Sequence, residues 1–137
     1  MKSYTDIEQS RKLVEILPIE TADMFWQSNL NGSDRQYLLD MGEIEYFDIE
    51  MNFEHYNIGN YDIPAWSLAA LINIIPQEIF DGEYIVNITE GRDNKWIITY
   101  DHYEHRDHSY YGLSTGADNL VDACTDIIIK LKERNLL

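Results

Sequence analysis

The residues best equipped for chemistry in this chain lie in one short stretch, DHYEHRDHSYYG at 101–112. There His102, His105 and His108 recur at every third position. A zinc centre needs three or four convergent ligands drawn from His, Cys, Asp and Glu, and Asp101, Glu104 and Asp107 stand beside the histidines as carboxylate donors. Such a set would belong to a small metal-dependent enzyme. The spacing argues against it. On a helix, steps of three drift by about 60° each, and the stretch follows a strand-like run, WIITYD, and leads into SYYG. In an extended strand His102 and His108 share a face while His105 points away, so only a loop could gather all three. A polar hairpin tip, with histidines among acids and no bound metal, is the reading that fits the neighbours.

Other reactive groups are scarcer. Cys124 is the only cysteine, which excludes an internal disulfide, zinc ribbons and CxxC redox motifs. It lies on the apolar stripe of the last amphipathic segment, where a free cysteine behaves as a small hydrophobe, so a nucleophilic role is not expected. With 25 acids in 137 residues, chance carboxylate pairs are guaranteed, and none can be nominated for acid–base work. GRDN at 91–94 is turn chemistry and lacks the glycine-rich strand-to-helix setting of a phosphate loop. GLSTG at 112–116 lacks the spacing of a nucleophile elbow. The expectation is a protein without catalytic residues and without a cofactor.

Charge and aromatics point toward binding. The net charge is -15, and residues 36–91 hold 11 acids with no lysine or arginine. That balance repels nucleic acid and anionic membranes, so neither is an expected partner. It keeps a protein soluble or attracts a basic partner protein. Ten tyrosines and three tryptophans accompany it; aromatics pack sheet faces and are also enriched at interfaces. The expected contacts to a partner protein are Tyr103, Tyr110 and Tyr111 at the hairpin tip, with Glu45, Asp48 and Glu50 on an acidic strand. Oligomeric state is not readable.

These residues must be positioned by a modest set of elements. TDIEQSRKLVEIL opens with Thr5 and Glu8 at capping-box spacing and ends at Pro18, which predicts a first helix. Residues 19–26 read as a short helical turn and 27–36 as a polar loop. Period-2 alternation over 43–54 predicts a half-exposed strand, with a parity change near Phe47 that marks a bulge or two short strands. Pro64 and Pro76 bracket a helix over 64–75 that is apolar nearly all round and so buried on most sides. Residues 83–89 and 95–101 form a hairpin across EGRDN, with Tyr84, Val86 and Ile88 facing the same way as Trp96, Ile98 and Tyr100, and 108–115 returns as a third strand. Thr115 and Asp118 are spaced to cap a C-terminal helix whose stripe is Leu120, Cys124, Ile127 and Leu131.

Helices flanking hairpin-connected strands give an α+β fold, an antiparallel sheet of about three to five strands packed against two or three helices in a single domain. No apolar run is long enough to span a bilayer, and MKSYTDIEQSRKL has no apolar core of a secretory signal. With a lone cysteine, a reducing cytoplasmic setting is expected.

KLVEILPIETADMFW near the start, IPAWSLAALINIIP in the middle and LVDACTDIIIKLKERNLL at the end together resemble a family of short uncharacterised proteins. These are encoded by gut bacteria, their phages and integrated prophages. The resemblance spans nearly the whole chain, with PAWSLAAL and DAC plus its apolar helix as the most specific parts. It implies a small accessory protein of a mobile element and supplies no site residues. That setting adds one alternative, an acidic protein that mimics nucleic acid and inhibits a host nucleic-acid-binding or defence protein.

Overall fold

The computed structural model describes residues 2–28, 37–41 and 63–137. Their contacts gather into two compact units, Tyr4–Ala70 and Leu71–Leu137 together with the first three residues.

In the unit Tyr4–Ala70, helix α1 (Ile7–Val14) is opened by a capping box one residue later than the sequence predicts. Asp6 is the cap. Its carboxylate accepts from the Gln9 amide at 2.8 Å, and the Gln9 side chain accepts from the Asp6 amide at 3.1 Å. Thr5 is instead fully buried. Its hydroxyl pairs with Ser10 Oγ at 2.8 Å and accepts from the Trp66 amide at 3.1 Å.

Residues 19–26 are not a helical turn throughout. Ile19–Thr21 form one 3-10 turn, and Met24–Ser28 are a strand, β1, so Gln27 and Ser28 leave the expected loop. β1 lies between β2 (Tyr37–Met41) and β3 (Ile63–Ala65), antiparallel to both. Partners distant in sequence impose this strand, and no local period announces it. The strand expected over 43–54 lies outside the described residues.

Pro64 does not start a helix. It sits in β3 at the edge of the three-stranded sheet, where a residue without an N–H is tolerated. Helix α2 (Leu68–Ile74) starts four residues later, with the Ala70 amide donating to Ser67 Oγ at 3.2 Å. It is not buried on most sides: Leu71 is buried, while Ile72 is 42% exposed. Trp66 fills the core of this unit, and its indole N–H donates to Thr21 Oγ1 at 2.9 Å.

The unit Leu71–Leu137 holds a four-stranded antiparallel sheet in chain order, β4 (Glu78–Ile79), β5 (Tyr84–Glu90), β6 (Trp96–His102) and β7 (Ser109–Ala117). The expected hairpin and its return strand are present. Val86 lies opposite Tyr100 and Ile88 opposite Ile98, so the apolar positions of both strands share the inner face. Ile98, Tyr100, Leu113 and Thr115 are buried there beneath helix α3 (Leu120–Glu133), which packs on β6 and β7.

Val121, Ala123, Cys124, Ile127, Ile128 and Leu131 supply the buried face of α3. Its cap is Asn119, which accepts from the Asp122 amide, and not Thr115, which is taken up by β7. The architecture is α+β with antiparallel sheets, as its periodicities imply. Among the described residues, no helix is long and apolar enough to cross a membrane.

Candidate functional site: an aromatic end of the sheet

The β6–β7 hairpin closes over residues 103–108, and the tip is built by local hydrogen bonds. The His102 amide donates to the His108 carbonyl at 2.9 Å, and the His108 amide donates to the His105 carbonyl at 2.8 Å. His102 caps the turn with its side chain: the amides of Glu104 and His105 each donate to its Nδ1 at 3.2 Å. An acceptor at Nδ1 places the ring proton on Nε2, which faces Glu83 at 3.9 Å.

The three histidines therefore do come together, as a run of ring contacts. His102 and His105 stack with centroids 5.2 Å apart, and His105 meets His108 edge-on at 6.0 Å. Stacked rings aim their nitrogens along parallel planes, and Nδ1 of His102 is already engaged. Among the described residues, no group of three His, Cys, Asp or Glu side chains is arranged to hold a metal ion.

Aromatic contacts continue from the histidines across the sheet end. His102 stacks on Tyr103 at 5.0 Å and meets Tyr84 edge-on at 5.5 Å. Tyr84 contacts Tyr110 at 5.2 Å, and Phe80 closes against Tyr110 at 5.1 Å and Tyr84 at 6.3 Å. Phe80 reaches this place from the β4–β5 turn, where Phe80, Asp81 and Gly82 all take positive φ, at 54°, 55° and 87°. A left-handed backbone is costly for a bulky residue.

The third contributor is a distortion of β7. Thr99 pairs with Ser114 but Asp101 pairs with Ser109, so one residue of β6, Tyr100, stands opposite four of β7, residues 110–113. Such a bulge bends the strand and redirects its side chains. Tyr111 at its crest is 92% exposed, while Tyr110 turns inward and is half-buried. Gly112 carries a φ of +77°. The guanidinium of Arg134, from the end of α3, lies 5.7 Å from the centre of the Tyr110 ring. It occupies the space beside Gly112 that a Cβ would need, with Nη2 only 2.1 Å from that position.

The site is thus an exposed aromatic surface whose two neighbouring turns carry carboxylates. Tyr103 is 52% and Phe80 44% exposed. Asp81, Glu83, Glu104 and Asp107 are exposed around them. A hydrogen bond to Glu104, and then the charges of Glu104 and Glu83, raise the Tyr103 phenol above its ordinary range.

Of the expected contact residues, Tyr103, Tyr110 and Tyr111 all fall in this one region, whereas Glu45, Asp48 and Glu50 lie outside the described residues. Phe80 and Arg134 were not singled out in the sequence. The alternation and turn residues flanking Phe80 mark a hairpin, but nothing local tells that its ring meets Tyr110. Cys124 is fully buried, and burial pushes its thiol up to about 12, which disfavours the thiolate form that a nucleophile uses.

Compared with family models, curated proteins and solved structures, the chain matches none of them.

Proposed function

We propose that this is a non-enzymatic accessory protein of the cytoplasm that acts by binding another protein through the aromatic end of its four-stranded sheet. The observation that carries the reading is the exposure of Tyr111 and Tyr103 beside a strained Phe80. Exposed aromatics cost solubility, and rigid tyrosines with few rotatable bonds are the side chains that anchor protein interfaces. The sheet core does not need them, since Tyr100, Ile98 and Leu113 already fill the inner face. The resemblance to phage and prophage proteins supports an accessory role in a mobile element.

A comparison of proteins captured from host lysate by the wild type and by a Tyr103→Ala/Tyr111→Ala variant tests the reading. The variant, checked by its melting transition for an intact fold, should lose a partner that the wild type retains. An unchanged set of captured proteins refutes docking at this end.

A further inference from the structure

We infer that the aromatic end of the sheet receives an arginine-bearing segment of a basic partner protein, with guanidinium groups stacking on Tyr103 and Tyr111 and pairing with the carboxylates around them. This rests on the reading of that end as a protein-docking surface and specifies the chemistry of what docks.

Three observations converge on a guanidinium. Two of the exposed rings share their turns with exposed acids, Asp81 and Glu83 following Phe80 on one and Glu104 and Asp107 following Tyr103 on the other, while Tyr111 stands exposed on the adjoining bulge of β7. A purely apolar partner would strip water from those carboxylates without replacing its hydrogen bonds, and that desolvation opposes binding. An acidic partner would be repelled by the chain's net charge of -15. A guanidinium meets both demands at once, because its flat face lies on an aromatic ring while its edge forks onto a carboxylate.

Lysine does this less well, since its ammonium is compact and strongly hydrated. The cluster also contains one such contact within the chain itself, the Arg134 guanidinium over the Tyr110 ring at 5.7 Å. The proposed ligand repeats, on the exposed tyrosines, an arrangement already present on the half-buried one.

The experiment is a titration of the whole protein, followed by backbone amide shifts, with nona-arginine, nona-lysine and nona-citrulline peptides at low and high salt. The arginine peptide should shift amides of the 80–84 and 102–112 turns, bind more tightly than the lysine peptide, and lose affinity as salt rises. The citrulline peptide, flat but uncharged, should leave the spectrum unmoved. Tyr103→Ala and Tyr111→Ala should each weaken the arginine peptide by about two- to fivefold; at 92% exposure, truncating Tyr111 leaves the fold untouched.

Equal binding of arginine and lysine peptides, indifferent to both tyrosine variants, would overturn the inference in favour of diffuse attraction by an acidic protein. Shifts absent from the two turns would overturn it as well. Were the tyrosine variants still to lose their lysate partner in that case, the docking reading would stand and only the partner's chemistry would be wrong.

Discussion

Replacing Gly112 with alanine separates two reasons for a glycine at the bulge. Its φ of +77° lies where an L side chain is strained, and an added Cβ would come 2.1 Å from Arg134 Nη2. The backbone part costs about 1–2 kcal/mol, offset by about 0.4–1 kcal/mol because alanine restricts the unfolded chain. The steric part falls on the far end of a flexible side chain, so Arg134 swings away and forfeits its contact with Tyr110, about 0.5–1 kcal/mol at an exposed site. Gly112→Ala should therefore lower stability by about 1–2 kcal/mol in urea denaturation followed by tryptophan fluorescence. In an Arg134→Ala background the same substitution should cost less, by about 0.5–1 kcal/mol, because the contact is already gone. A neutral or stabilising Gly112→Ala would refute the left-handed bulge. An identical penalty in both backgrounds would refute the placement of Arg134 against it.

Three further outcomes are expected. Thr5→Val should cost about 1–3 kcal/mol, because the buried Trp66 amide and Ser10 hydroxyl both lose their partner, and adding Ser10→Ala should recover part of it in the urea midpoint. Phe80→Gly should be more stable than Phe80→Ala by about 1 kcal/mol in the same assay, since both lose the ring but only alanine keeps the strain of φ 54°.

Alkaline stability should fall above roughly pH 9. Cys124 and Tyr100 both have folded pKa values raised by burial, so the stability they contribute is complete below their unfolded values and is lost as pH rises toward the folded ones. The slope is about 1.4 kcal/mol per pH unit per group. Cys124→Ala should reduce it by about one proton in denaturation curves taken between roughly pH 9 and 11, and a thiol that reacts with a disulfide reagent in the native state near neutral pH would contradict the burial.

The sequence displays what repeats locally and conceals what distant partners decide. Apolar residues recur at every second position through 84–88 and 96–100, with Ile98 and Tyr100 buried beneath α3, and the stripe of α3 is regular because that face meets the sheet. β1 has no such regularity. Met24, Phe25 and Trp26 extend because β2 and β3 flank them, and both lie well over ten positions away in part of their pairing. Pro64 misleads because a helix start and an edge strand tolerate a missing N–H equally well, and only pairing with Phe25 resolves the choice. The capping boxes slip because Thr5–Glu8 and Asp6–Gln9 are adjacent and chemically equivalent, and the outcome turns on the demand for a buried hydroxyl beside Trp66. At the tip, the three tyrosines and three histidines are legible by spacing, whereas Phe80 and Arg134 arrive through topology.

Departures from local regularity are not spread evenly over the sheet, and their placement bears on function. At one end of β6, the turn over residues 91–94 resolves with Asn94 at φ 58°, a residue that tolerates the left-handed region. At the other end, a phenylalanine takes that conformation, a bulge sets four residues opposite one, and a glycine makes room for a guanidinium. Each carries a cost that asparagine or glycine at residue 80, and a regular strand through residues 110–113, would avoid. The bulge still returns Leu113 to the inner face, where it is buried with Ile98 and Tyr100. The common effect of these departures is to turn Phe80, Tyr110 and Arg134 into one cluster and to lift Tyr111 away from the sheet. Strain that converges on one exposed aromatic surface supports the docking proposed for that end of the sheet.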